Sequence, residues 1–106
     1  MTVTTVDAVC SLHHIDQIDL LKTDTEGYDL EVLKGAEGML SRDAIRFIFV
    51  EAGLNRQPGQ TSFCELSDIL SQRGFVFSGF YDPMRGGEHK EILWFCNALF
   101  THRDAI

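Results

Sequence analysis

Three carboxylates stand where they could do chemistry. Asp24 and Glu26 fall in LLKTDTEGYDLEVLKGA, residues 20–36, where an apolar extended run gives way to helical spacing. Glu51 follows the next apolar run, IRFIFV. Ligands of open α/β sheets bind beyond the carboxyl ends of the strands, so the three would share one edge. Grouped carboxylates can hold a divalent cation through oxygen. One can also take a proton from a hydroxyl or amine, a role suited by the way neighbouring charges raise one another's pKa. A plainer use exists as well: Asp24 and Glu26 would each stabilise a helix N-terminus by ~0.3–1 kcal/mol. Residue types alone leave both uses open.

The elements that must position these groups follow from periodicity. Residues 18–23 read as a strand ending at Asp24. From about residue 29 to 41, Leu30, Leu33, Ala36 and Leu40 recur at helical spacing, interrupted by Gly35 and Gly38. Each glycine costs roughly 1 kcal/mol against alanine there. Residues 45–50 are almost continuously apolar, which suits a strand buried on both faces. Residues 55–60 read as a polar, glycine-bearing loop. Ser62 and Glu65 make an S-x-x-E capping box ahead of Leu66, Ile69 and Leu70, and Gly74 stands at the C-terminal cap position. Residues 75–81 read as a third strand, 82–91 as a turn-rich loop and 92–100 (ILWFCNALF) as a fourth strand. Residues 2–10 suggest a further short strand or a lead-in. Strands alternating with helices imply right-handed crossovers and mostly parallel strands. The last two strands lack a helix between them, so the final one is expected to run antiparallel.

Composition narrows the function classes. One domain spanning 1–106 is expected from the length. With 44% hydrophobic and 24% charged residues the chain has the makeup of a folded globule rather than a disordered tail. Sixteen acidic against nine basic residues give a charge of −7, which argues against nucleic acid and against anionic membranes as partners. Cys10, Cys64 and Cys96 have no CxxC spacing, which suggests reduced thiols and a cytoplasmic location.

Other residues carry weaker signals. His13 and His14 would face opposite sides of an extended segment and so would not share an ion. His89 and His102 read as solvated. Trp94, Phe95, Phe47, Phe49, Phe75 and Phe77 read as core. Tyr81, Asp82 and Arg85 border the late loop, where ordinary turn chemistry accounts for them. Cys64 has no histidine near it in sequence to activate it as a nucleophile.

The motif around Asp24 is more specific than its residue types. IDLLKTDTEGYDLEVLKGAEGML, followed by a strand ending FVE, closely resembles the FkbM family of S-adenosylmethionine-dependent methyltransferases. Lys22, Asp24, Glu26, Gly27, Leu30, Leu33, Gly35 and Ala36 match its signature, and Thr5-Val6-Asp7 is similar to its lead-in. Thr23 and Thr25 replace residues that are usually aliphatic, which makes the strand end more polar. The resemblance weakens after about Gln60. It implies a Rossmann-like sheet with an antiparallel last strand, methyl transfer from S-adenosylmethionine, and a small-molecule or saccharide hydroxyl as acceptor. Asp24, Glu26 and Glu51 would be the catalytic residues, with no resident metal. A carboxylate-dependent metal hydrolase is the weaker reading of the same three residues.

The resemblance also implies something missing. The family builds its cofactor site on a glycine-rich turn after the first strand and an acidic residue after the second. Here no glycine pair stands in a strand–Gly-x-Gly–helix setting, and Gly86-Gly87 comes late. The chain therefore reads as the C-terminal half of such a domain, so no cofactor-binding residue is assigned. Its first strand, central in a whole sheet, would then expose an edge. Homodimerisation, or association with a missing N-terminal half, is expected there. The alternative to an enzyme is a non-catalytic half-domain that dimerises or binds a partner through that edge.

Overall fold

The computed structural model describes residues 4–23, 28–54 and 61–105. Four strands form one mixed sheet: β1 (Ile18–Lys22), β2 (Ile45–Gly53), β3 (Phe75–Gly86) and β4 (Ile92–His102), in spatial order β1-β2-β4-β3. β1 and β2 pair in parallel, with Lys22 opposite Phe49. β4 is inserted antiparallel between β2 and β3, so β3 points the same way as β1 and β2. The expectation of an antiparallel last strand agrees with this sheet. Only one of its neighbouring pairs is parallel, however, because β4 separates the third strand from the second.

Both crossovers advance in the same direction across the sheet. Right-handed connection therefore puts their helices on one face. Those helices are α2 (Asp29–Lys34) and α3 (Glu37–Ser41) between β1 and β2, and α4 (Phe63–Gln72) between β2 and β3. The core lies under them: Leu33, Met39, Leu40, Leu66 and Leu70 pack with Ile48, Val50, Ala52, Ala98 and Phe100. The shortest extent of the molecule is 19 Å, about one sheet plus one helix layer.

The other face follows from the strand alternation. Phe47, Phe49 and Glu51 of β2 oppose Thr101, Leu99 and Asn97 of β4, and all six are only half-buried. Leu20, opposite Phe47, is 55% exposed, and Tyr81, whose ring lies 6.0 Å from that of Phe49, is 47% exposed. Among the described residues no helix lies over this face.

The N-terminal segment is not a strand. Residues Val6–Leu12 form helix α1, with Thr5 as N-cap, its hydroxyl accepting from the Ala8 N–H at 3.1 Å. Its Asp7 carboxylate accepts from the N–H groups of Gly38 (2.7 Å) and Met39 (3.0 Å) at the start of α3. α1 is thereby docked on the helical layer and leaves β1 at the sheet edge. The helix expected over 29–41 is two helices, broken at Gly35. Its carbonyl accepts from the Asp7 N–H at 2.9 Å, and a Cβ there would sit 3.0 Å from the Thr5 Cβ. Close approach of α1 needs the glycine. At α4 the cap is Ser62, whose side chain accepts from Cys64 N rather than from the Glu65 N–H of a capping box, and Gly74 takes φ +86 just past the helix. Part of the expected 82–91 loop is strand: β3 runs on to Gly86 as an edge strand, which tolerates Pro83 and a bulge. His102 is not solvated but 6% exposed.

Candidate functional site

The parallel pairing of β1 and β2 brings their carboxyl ends to one edge, joined there by the start of β4 and the far part of β3. Glu51, within β2 rather than after it, lies directly across from Asn97. Residues so opposed have Cβ atoms ~4.5–5.5 Å apart. Asn97 in turn opposes Tyr81 and donates through Nδ2 to Asp82 Oδ2 at 3.0 Å. Lys22, at the end of β1, places Nζ 5.8 Å from the centre of the Phe49 ring. Lys22, Glu51, Asp82 and Asn97 surround a hollow of about 240 Å³ whose other walls are Met84, Phe95 and Cys96.

The hollow collects both signs of charge, an amide and two apolar side chains. Such a set can orient a small polar molecule and move a proton from it. Cys96 is buried, and burial pushes its thiol pKa above the ordinary value, so it stands as a neutral wall. Thr23, just past β1, is 4% exposed, and its hydroxyl has no hydrogen-bond partner among the described residues. Its N–H continues the ladder to Phe49 O at 2.9 Å.

Of the three carboxylates expected to act, Glu51 is at this edge. Asp24 and Glu26 lie outside the described residues, between Thr23 and Tyr28. The acidic residue that follows them, Asp29, is fully buried in the first turn of α2, where the helix dipole favours a negative charge. The metal-hydrolase reading requires Asp24, Glu26 and Glu51 to converge, and so rests on residues outside the described set. Asp82 lines the hollow, while Arg85 does not. Asn97 and Cys96 were missed because they sit in the apolar run ILWFCNALF. One amide in such a run was the available signal.

A second cluster lies at the opposite end of the sheet. Asp43, His102 and Asp104 bring potential ligand atoms within 4.8 Å of one another. His102 Nε2 and Asp43 Oδ1 are 3.0 Å apart, and Nδ1 accepts from the Asp104 N–H at 3.2 Å. Both ring nitrogens thus find partners within the cluster. The cluster ties the chain end to the start of β2.

Fold and edge together define an α/β chain with a polar hollow at the carboxyl ends of its two parallel strands. The Methyltransferase FkbM domain matches residues 1–77, well over half of the chain, and the chain belongs to that family. The curated proteins and the solved structures give no significant match. Among the described residues no helix is long and apolar enough to cross a membrane.

Proposed function

We propose that this chain carries the acceptor-side half of a Rossmann-like, S-adenosylmethionine-dependent O-methyltransferase, working in the cytoplasm on a hydroxyl of a small molecule or saccharide. The observation that carries this reading is the polar hollow of Lys22, Glu51, Asp82 and Asn97 at the carboxyl ends of β1 and β2. The sequence leads straight from that point, at Thr23, into Asp24 and Glu26. A hydroxyl that accepts a methyl group must lose its proton. Glu51, Asp24 and Glu26 are the carboxylates suited to take it, and Lys22 offsets the charge that then collects.

The described residues do not suit the cofactor itself. A hollow of about 240 Å³ falls below the ~300–1,000 Å³ of drug-sized ligand sites, and the glycine pair that ends a described strand, Gly86-Gly87, leads into β4 rather than into a helix. We therefore assign the cofactor to a complementing half that joins at β1. Two features support this occupant over a second copy of the chain. Among the described residues β1 is an edge strand, and the open side of such a strand invites another. Next to it, the helix-free face presents Leu20, Phe47, Phe49 and Leu99. A unit adding a strand beyond β1 and helices over that face satisfies both. Twofold β1–β1 pairing would leave the face bare. Reduced thiols at Cys10, Cys64 and Cys96 suit a cytoplasmic setting.

The test is calorimetry with S-adenosylmethionine, together with transfer of labelled methyl to hydroxyl acceptors. Both are run on the chain alone and on the chain co-expressed with the N-terminal half of another FkbM-family methyltransferase. Binding and transfer are expected only in the complemented sample. There, removal of the proton-taking carboxylate (Asp24→Asn, Glu26→Gln or Glu51→Gln) costs about 10²-fold in kcat. Absence of both activities from a sample shown to contain the complex overturns the proposal. A stable homodimer that excludes the complementing half favours the non-catalytic module.

A further inference from the structure

The register of β3 against β4 contains an irregularity at the site. Tyr81 opposes Asn97 and Met84 opposes Phe95, so two residues, Asp82 and Pro83, face Cys96 alone. That count is a β-bulge, a device that re-aims a side chain. Asp82 takes φ +53, a left-handed conformation that residues other than glycine seldom adopt. Pro83 has no N–H with which to restore the ladder. The distortion turns the Asp82 carboxylate onto Asn97, at 3.0 Å, on the wall of the hollow.

We propose that the bulged Asp82 and Asn97 form the acceptor-recognition pair, reading two neighbouring hydroxyls of a hydroxyl-rich ring. The assignment rests on the acceptor-side reading above. The bond between them uses one amide proton of Asn97 and one lone pair of Asp82. What is left is a carboxylate acceptor beside an amide that can still donate and accept. A diol, whose hydroxyls each donate and accept, matches that row; a single hydroxyl fills half of it. Met84 and Phe95 offer apolar surface to the C–H face of a ring, as a purely charged pocket would not. Across the ladder from Asn97, Glu51 is placed for the proton of the hydroxyl that reacts. Asp82 and Asn97 thus set which hydroxyl is presented and do not themselves take the proton.

The experiment titrates the isotope-labelled 106-residue chain with methyl β-glucopyranoside and, separately, with cyclohexanol, following amide signals by NMR. The glucoside is expected to shift the Asn97 side-chain amide and the Asp82 and Met84 backbone amides at millimolar concentration, with cyclohexanol far weaker. Asn97→Ala and Asp82→Ala each weaken glucoside binding about tenfold, the loss of one charge-assisted hydrogen bond. Asp82→Asn, which keeps an acceptor for Asn97, recovers part of it. If Asn97→Ala does not fold, the Asp82→Ala and Asp82→Asn pair decides. Equal shifts with both probes, or binding indifferent to these substitutions, overturn the proposal. Glucoside binding at Asn97 without cofactor binding in the complemented sample removes the methyltransferase reading and leaves the pair. Methyl transfer to cyclohexanol that ignores Asn97→Ala removes the pair and leaves the methyltransferase.

Discussion

Removal of the Asp7 carboxylate tests the placement of α1, and through it the exposure of β1. The N-cap position of α3 is Ala36, which has no side chain able to cap. Asp7 supplies the cap from thirty-one residues away, through two part-buried bonds of 2.7 and 3.0 Å. Loss of a cap costs typically ~1 kcal/mol, and here a second N–H is orphaned with it, so Asp7→Ala is expected to cost about 2 kcal/mol. For a chain of this size that lowers Tm by ~8–16 °C. Asp7→Asn keeps one acceptor oxygen and should lose about half as much. Urea unfolding followed by circular dichroism measures both, with an unchanged m-value showing that the unfolded state is not altered. A double-mutant cycle sharpens the test. A Cβ at Gly38 would lie 3.0 Å from Asp7 Oδ2, so Gly38→Ala destabilises the native chain by pressing on the cap. In the Asp7→Ala background that oxygen is gone, and the same change should stabilise by ~0.5–1 kcal/mol, the ordinary helix gain of alanine over glycine. A loss below about 0.5 kcal/mol for Asp7→Ala, with no change of sign at Gly38, would mean that α1 does not dock on α3.

Other consequences are equally direct. Burial raises the Cys96 thiol pKa, so the folded chain holds a proton that the unfolded chain has released at alkaline pH. Stability from this group is therefore intact below the unfolded thiol value of about 8.5 and falls as pH rises through the folded value; Cys96→Ala should flatten the fall in urea midpoint between pH 7 and 10. In the native chain exposed Cys64 should react with iodoacetamide well before buried Cys10 and Cys96, as mass spectrometry would show. Gly86→Ala would place a Cβ 2.2 Å from Trp94 Cζ2, forcing the indole out of position at a cost of ~1–3 kcal/mol, visible as a shift of tryptophan emission. Leu20→Asp should reduce dye binding to the helix-free face, with unfolding free energy changed by less than about 0.5 kcal/mol.

What the sequence made legible was set by local chemistry. β1 and β2 are short apolar runs, and α4 carries its own cap and its own terminating glycine, so periodicity found them. The break between α2 and α3 was not legible, because Gly35 answers to Thr5 and Asp7, far away in the chain. Residues 2–10 suggest a short strand or a lead-in, and the β-branched Val6 and Val9 do not favour a helix; α1 forms there with Thr5 as its cap. Asp82-Pro83 and Gly86-Gly87 have the composition of a turn, and only pairing to β4 shows that an edge strand runs through the first three. At the site, Glu51 could be placed because parallel strands end at a common edge. Asn97 could not, because its partners Glu51 and Asp82 meet it only once β4 has inserted between β2 and β3.

That insertion also decides on which side the hollow is walled. β4 and β3 wall the hollow on one side, with Asn97, Asp82, Met84 and Phe95, whereas among the described residues no strand pairs beyond β1. A ligand held there touches the β4 and β3 walls on one flank, and no described strand lies on the other. Adding a strand beyond β1 would enclose the second flank and dry the contacts already present, without changing any of these residues. Hydrogen exchange separates this account from simple loosening of the whole chain. On complementation the amides of β1 should slow, those of the outer edge of β3 should not, and glucoside affinity at Asn97 should rise together with β1 protection. Protection spread evenly over all four strands would instead mean that the partner merely stabilises the fold.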